Sequence, residues 1–248
     1  MSLGLQGRVA LVTGAASGIG RATARLAAGE GCRVALLDIA AGPLAAVARE
    51  LGSGHRDFPC DLADTAAVEQ AVADVVHWAG RLDILINAGA ILRRQACSDV
   101  QPLDFDTQVA VNLRGPFFLA RAAAAHMQRL GWGRIVLLAS HGAFTGGYVS
   151  SSVYSMTKAG VVTLAKSMAR ELAAAGVTVN AVAPGPVDTP MLHDDVSDEA
   201  LKAFVTLVPM GRFAAPEEIA RACLFLASDW AGYITGHCLD INGGMLMR

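Results

Sequence analysis

Three features of this 248-residue chain predict a doubly wound α/β fold, a parallel sheet of about seven strands with helices on both faces. Short, almost wholly apolar runs rich in β-branched residues alternate with longer segments of helical periodicity. Those runs lack polar alternation, as expected of strands buried on both faces. The first run breaks into a glycine-rich turn and then a helix, the opening of a βαβ unit. No internal repeat, linker or low-complexity tract interrupts residues 1–248, so a single domain is expected.

Residues 8–13 (RVALVT) form the first expected strand, and the pattern turns helical from Arg21 to Glu30. Residues 32–38 (CRVALLD) are the second strand, closing on an acid. A helix over 43–51, a weaker third strand over 54–60 and an amphipathic helix over 65–80 follow. Residues 82–86 (LDILI) are the fourth strand. One long helix is expected from about Phe105 to Leu130, with Pro116 bending it or marking a boundary inside it. Residues 133–140 are the fifth strand, a helix runs from Ser151 to about Ala175, and 177–183 (VTVNAVA) is the sixth strand. Residues 188–215 are polar and irregular with one short helix near 197–207. A helix over 216–228 and a last strand over 237–241 complete the chain.

Hydrophobic residues make up 53% of the chain and charged ones 17%, an apolar excess that predicts subunit interfaces. A net charge of −2 provides no basic footprint, which argues against nucleic acid or an anionic membrane as partner. No uncharged apolar run is long enough to span a bilayer, and the first residues lack the pattern of a signal peptide. Cys32, Cys60, Cys97, Cys223 and Cys238 are odd in number and form no CxxC pair, so free thiols and a cytoplasmic setting are expected. The six histidines show no ligand spacing, so no metal site is expected. Trp78 and Trp230 lie in helical or helix-end patterns and read as core or interface.

Gly14, Gly18 and Gly20 sit where the first strand hands over to the first helix. Without Cβ atoms such a turn lets a pyrophosphate approach backbone N–H groups and the positive end of the helix dipole. Their spacing is GxxxGxG, which differs from the GxGxxG dinucleotide pattern, but the strand-turn-helix setting points to nucleotide binding. Asp38, at the end of the second strand, can accept hydrogen bonds from a ribose 2′-hydroxyl and would repel a 2′-phosphate. No Arg or Lys lies in the glycine loop or directly after Asp38, so NAD is preferred over NADP. Tyr154 and Lys158, four apart in a helix-favouring run, share a face. A nearby ammonium favours an ionised phenol, which makes Tyr154 a candidate acid/base whose pKa Lys158 would lower.

These motifs in this order resemble the short-chain dehydrogenase/reductase family over essentially the whole chain. The TGxxxGIG loop is Thr13 to Gly20, with Ser17 and Ile19 between its glycines. Asp61-Leu62 follows the third strand, where the family contacts adenine. Asn87-Ala88-Gly89 resembles the family's NNAG, with Ile86 in place of the first Asn. Asn112, Ser140, Tyr154 and Lys158 fall on its four catalytic positions. Pro184-Gly185-Pro186-Val187-Asp188-Thr189-Pro190 resembles the segment that holds the nicotinamide, with Val187 and Thr189 as expected contacts.

The resemblance implies a Rossmann fold and NAD(H)-dependent interconversion of a secondary alcohol and a ketone. Ser140 would hold the substrate oxygen and Tyr154 exchange its proton. Lys158 would hold the nicotinamide ribose, and Asn112 position a water linking Lys158 to solvent. It also implies a homotetramer, assembled partly through the helix carrying Tyr154 and the C-terminal strand. Residues 87–94 and 243–248 are similar to keto-deoxygluconate dehydrogenases. A sugar, sugar acid or polyol is therefore the expected substrate, with Arg93 and Arg94 placed to meet an anion. His141, Met191 and His193 are further candidates at the pocket and at the entrance of a lid over 188–215. An oxoacyl-carrier-protein reductase, a dehydrogenase of hydroxysteroids or cyclic alcohols, and an NAD-binding sensor or scaffold without turnover stand as alternatives.

Overall fold

The computed structural model describes residues 3–147, 150–194 and 196–248; Met1, Ser2, Tyr148, Val149 and Asp195, the last within the expected lid, lie outside them. The chain alternates strand and helix: β1 Val9–Thr13, α1 Gly18–Gly29, β2 Arg33–Asp38, α2 Ala41–Leu51, β3 Arg56–Pro59, α3 Thr65–Ala79 and β4 Ile84–Asn87. It continues with α4 Pro102–Val109, α5 Gly115–Leu130, β5 Gly133–Leu138, α6 Gly142–Thr145, α7 Ser152–Leu172 and β6 Val177–Pro184. The last elements are α8 Pro190–His193, α9 Asp198–Val205, α10 Pro216–Ala227 and β7 Cys238–Ile241.

The seven strands are parallel, in the order β3-β2-β1-β4-β5-β6-β7. Every residue of β1, β4, β5 and β6 is buried, which explains their unbroken apolar runs, while the edge strands β3 and β7 are only partly covered. Pro59 is tolerated because β3 is an edge. One core packs Val72, Leu119, Met127 and Val161 of α3, α5 and α7 against the sheet. The other packs Ala24, Leu44, Ile219 and Leu224 of α1, α2 and α10 against its opposite face. The chain order reverses between β1 and β4, which opens a crevice at their carboxyl ends.

Helix ends follow local chemistry. Asp64 accepts hydrogen bonds from the Ala66 and Ala67 amides and starts α3, and Gly80, at φ 79°, ends it. The helix expected from Phe105 to Leu130 is divided beside Pro116, as that residue foretells, but its start and the form of the break need correction. It begins earlier, at Pro102, and is interrupted by a wide π turn over Ala110–Arg114 between α4 and α5. The Gly115 amide closes the wide turn on the Ala110 carbonyl, and Pro116, which has no N–H to give the carbonyl four residues back, follows at the start of α5. Among the described residues no helix is long and apolar enough to cross a membrane, and no group of three or more His, Cys, Asp or Glu is placed to hold a metal ion.

Candidate active site

The crevice is held open and in register by ties between β1 and β4. The Thr13 hydroxyl donates to Asn87 Oδ1 at 2.8 Å, and the Gly89 amide donates back to the Thr13 oxygen at 3.0 Å. Gly14 lies so close that a Cβ on it would stand 2.9 Å from the Gly89 nitrogen, and its φ of 64° also favours glycine. Across the opening, a Cβ on Gly18 (φ 48°) would come within 3.1 Å of Thr189 Cγ2, so the glycine loop faces the segment after β6. Ser17 caps α1 without using its side chain, and no acid occupies the first turn. The positive end of α1 therefore faces the crevice with no acid of its own first turn to neutralise it.

A cleft of about 1240 Å³ runs from this loop to the start of α7. Its walls include Gly14, Ser17, Gly18, Ile19 and Gly20, then Asp38, Asp61 and Leu62, then Ala88 and Gly89, and finally Pro184, Gly185, Val187 and Thr189. Asp38 is fixed by two amides, that of Ala40 at 2.9 Å and that of Ala16 at 3.2 Å. Of the described lining residues, only Arg94 and Lys158 are Arg or Lys, and both stand toward the α7 end, away from Asp38. Narrow backbone approach at a helix N-terminus and a carboxylate after β2 fit the pyrophosphate and a ribose of a dinucleotide.

α7 places Tyr154 and Lys158 on one face, with Lys158 Nζ 5.5 Å from the centre of the phenol ring. Ser140 follows β5, is buried, accepts from the Gly142 amide at 3.1 Å and hydrogen-bonds the Tyr154 hydroxyl. Burial in the cleft wall pushes the Tyr154 phenol up to about 12, opposed by the Ser140 hydrogen bond and by the charge of Arg94. The expected depression by Lys158 does not hold in this structure. Lys158 is 2% exposed, burial lowers its pKa to about 8, and its ammonium donates to the Leu138 carbonyl at 2.6 Å. Desolvation dominates both groups, so the Tyr154 phenol keeps its proton at neutral pH.

Other candidates stand behind or beside the cleft. Asn112, on the π turn, is buried, and its side chain clamps Ile91: Oδ1 accepts the Ile91 amide and Nδ2 donates to the Ile91 carbonyl, each at 2.8 Å. Asn87 is likewise buried and turned toward Thr13, off the lining. Arg94 lines the cleft, but its guanidinium donates to the carbonyls of Asp194 at 2.8 Å and Met191 at 3.1 Å, tying α8 to the loop after β4. Arg93 points away and pairs with Asp104. His193 is off the lining, exposed and 2.6 Å from Asp188, while Met191 does line the cleft. His141 lines it too, with Nδ1 3.1 Å from the Pro184 carbonyl; burial lowers its pKa and keeps it neutral at pH 7.

Several cleft residues escape sequence reasoning. Ala200, Leu201, Phe204 and Leu207 line the lid side, and no residue of α9 is buried. Their helical spacing is the signal that could have found them: an apolar stripe on a helix that the core does not cover. Ile39, Cys60, Leu92 and Ser155 also line the cleft and have no such signature.

Comparison with known proteins brings the chain alongside oxidoreductases. A family model described as enoyl-(acyl carrier protein) reductase matches residues 14–246. The D-threitol dehydrogenase of Mycolicibacterium smegmatis is 42% identical, over 98% of this chain and 95% of that protein. The (2S)-[(R)-hydroxy(phenyl)methyl]succinyl-CoA dehydrogenase subunit BbsD of Thauera aromatica is 39% identical over 98% of each. Among solved structures, a 3-ketoacyl-(acyl-carrier-protein) reductase from Brucella melitensis complexed with NADH superposes with a TM-score of 0.92. It is 35% identical over 98% of this chain and 100% of that one.

Proposed function

The chain belongs to the short-chain dehydrogenase/reductase family and is an oxidoreductase of alcohols and ketones; from that premise we propose that it uses NAD(H) in preference to NADP(H), with a polyol, sugar or sugar acid as substrate. The observation that carries the reading is the meeting of Ser140, Tyr154 and Lys158 at the end of a cleft whose other end presents Asp38. NAD, when bound, supplies the hydride acceptor. Gly14, Gly18, Gly20 and the N-terminus of α1 would hold its pyrophosphate, Asp38 its adenosine ribose, Asp61 and Leu62 its adenine side, and Lys158, Val187 and Thr189 its nicotinamide side.

The chain's own groups handle the proton. Ser140 holds the carbinol or ketone oxygen, and Tyr154 Oη takes the proton from that oxygen in oxidation and returns it in reduction. Lys158 carries charge near Tyr154, and its pKa near 8 lets it take up or release a proton close to neutral pH. Asn112 acts through the backbone it clamps at Ile91. The 42% identity to a D-threitol dehydrogenase supports a polyol. A second reading, an alcohol bearing an apolar ring, is favoured by the lid wall of Leu201, Phe204 and Leu207. Oxidation of secondary alcohols by NAD, lost on Tyr154→Phe, tests the reaction. A panel running from polyols to cyclic alcohols separates the two substrates.

A homotetramer in the cytoplasm completes the proposal. It is supported by exposed Leu103 and Phe117 on α4 and α5, which both pack on α7, by exposed Met156 on α7 itself, and by exposed Tyr233 and Met247 around β7. Five unpaired cysteines suit a reducing compartment.

A further inference from the structure

One guanidinium joins two walls of the cleft. The loop after β4 lines it through Ile91, Leu92 and Arg94, and α8 lines it through Pro190, Met191 and Leu192. The loop is fixed on its own account. Asn112 clamps Ile91 at both backbone groups, Gln108 Oε1 accepts the Arg93 amide at 3.2 Å, and the Gln95 amide donates to the Ser150 carbonyl at 2.8 Å, just before α7. α8 has no such support, because no residue of α8 or α9 is buried. The lid is fastened at its base, where the Asp188 amide donates to the Ala214 carbonyl at 2.9 Å and the Ala214 amide to that of Pro186 at 3.0 Å. Among the described residues, the hydrogen bonds that join 190–207 to the chain before residue 187 all come from Arg94.

The Arg94 guanidinium meets the carbonyls of Asp194, Met191 and Leu192 at 2.8, 3.1 and 3.5 Å. A four-residue helix leaves its last carbonyls without helical partners, and a cation there supplies charge-assisted hydrogen bonds. The charge of Arg94 also reaches Tyr154 and makes its proton easier to lose, so the tie stands at the reacting end of the cleft. A planar fork shared among three carbonyls is set to hold backbone rather than to receive a substrate anion. We propose that Arg94 is a positioning residue that holds α8 in place as a wall of the substrate site, and so serves neutral and acidic substrates alike. A wall fixed before the substrate arrives spares binding the cost of ordering it. This inference rests on the polyol reading above for its kinetic arm alone.

The test has two arms, each run on the wild type, Arg94→Ala and Arg94→Lys. One is backbone amide exchange without substrate, read at Leu192, Asp194 and Leu201, whose amides are hydrogen-bonded within the lid. The other is KM and kcat with NAD for threitol and for the four-carbon acid made by oxidising one of its ends. Arg94→Ala is expected to speed exchange at those amides by about tenfold or more. It is also expected to raise KM for both substrates by a similar factor of about tenfold, with kcat changed less. Arg94→Lys, a point charge without the fork, is expected to fall between. Unchanged exchange overturns the tie, and faster exchange with both KM values unchanged overturns the positioning role. A loss confined to the acid makes Arg94 an anion receptor and overturns the proposal as well. A wild type that oxidises neither compound overturns the polyol reading, and the exchange rates then decide alone whether Arg94 holds the lid.

Discussion

Lys158 buries an ammonium that finds no carboxylate among the described residues, and replacing it makes the cost measurable. Its pKa falls from 10.5 to about 8 because burial disfavours the charged form. Each pH unit in that gap is worth about 1.4 kcal/mol, so the buried charge costs the fold about 3 kcal/mol at pH 7. Lys158→Met removes this cost but strands the Leu138 carbonyl that Nζ reaches at 2.6 Å, a loss of about 1–3 kcal/mol. Net stability at neutral pH therefore changes little or rises by about 1–2 kcal/mol.

The pH dependence is the sharper readout. Below pH about 8 the lysine is protonated in both states and the penalty is complete. Between about 8 and 10.5 the unfolded chain binds the extra proton, so the wild type gains stability as pH rises. Burial also holds the thiols of Cys32, Cys60, Cys223 and Cys238 at about 11 to 12, which works in the opposite direction above their ordinary value of 9.0. Those thiols are common to both proteins and cancel in the comparison. Denaturant unfolding of the cofactor-stripped wild type and Lys158→Met, at several pH values from about 7 to 10.5, gives the difference directly. The wild type is expected to gain about 3 kcal/mol relative to the variant across that range. A difference that stays flat within about 1 kcal/mol refutes a desolvated, charge-bearing Lys158.

Two further outcomes follow from the same geometry. Asp38→Ala removes the carboxylate held by the Ala16 and Ala40 amides and is expected to lower the NAD to NADP ratio of kcat/KM by about ten- to a hundredfold; steady-state kinetics with both cofactors checks it, and an unchanged or higher ratio removes Asp38 from cofactor choice. Light scattering is expected to return four times the 25.7 kDa chain mass, and Met156→Glu, which puts a charge on the exposed face of α7, to reduce it.

Much of the scaffold was legible because strands buried on both faces write themselves as unbroken apolar runs, as residues 9–13 and 177–184 do. The helix over 105–130 was misjudged because its periodicity continues across the π turn; Pro116 signalled the break but not its kind. α6 and α8, each four residues, are too short to show a period. At the site, spacing placed Tyr154 and Lys158 on one face. It could not weigh proximity against burial, and burial moved both pKa values away from the simple expectation. Arg93 and Arg94 are alike as sequence, yet one finds Asp104 and the other the backbone carbonyls of Met191, Leu192 and Asp194, partners set by tertiary packing alone.

The central claim is that Tyr154 moves the proton while the carbinol hydrogen leaves as hydride. It is tested most directly with a secondary polyol such as threitol, deuterated at its carbinol carbons and oxidised with NAD, in the wild type and in Tyr154→Phe. The wild type is expected to place the deuterium in the reduced cofactor. Tyr154→Phe is expected to bind NADH as tightly as the wild type yet turn over at least about a hundredfold more slowly. Deuterium released to water, or a Tyr154→Phe enzyme within about tenfold of the wild-type rate, would contradict the account.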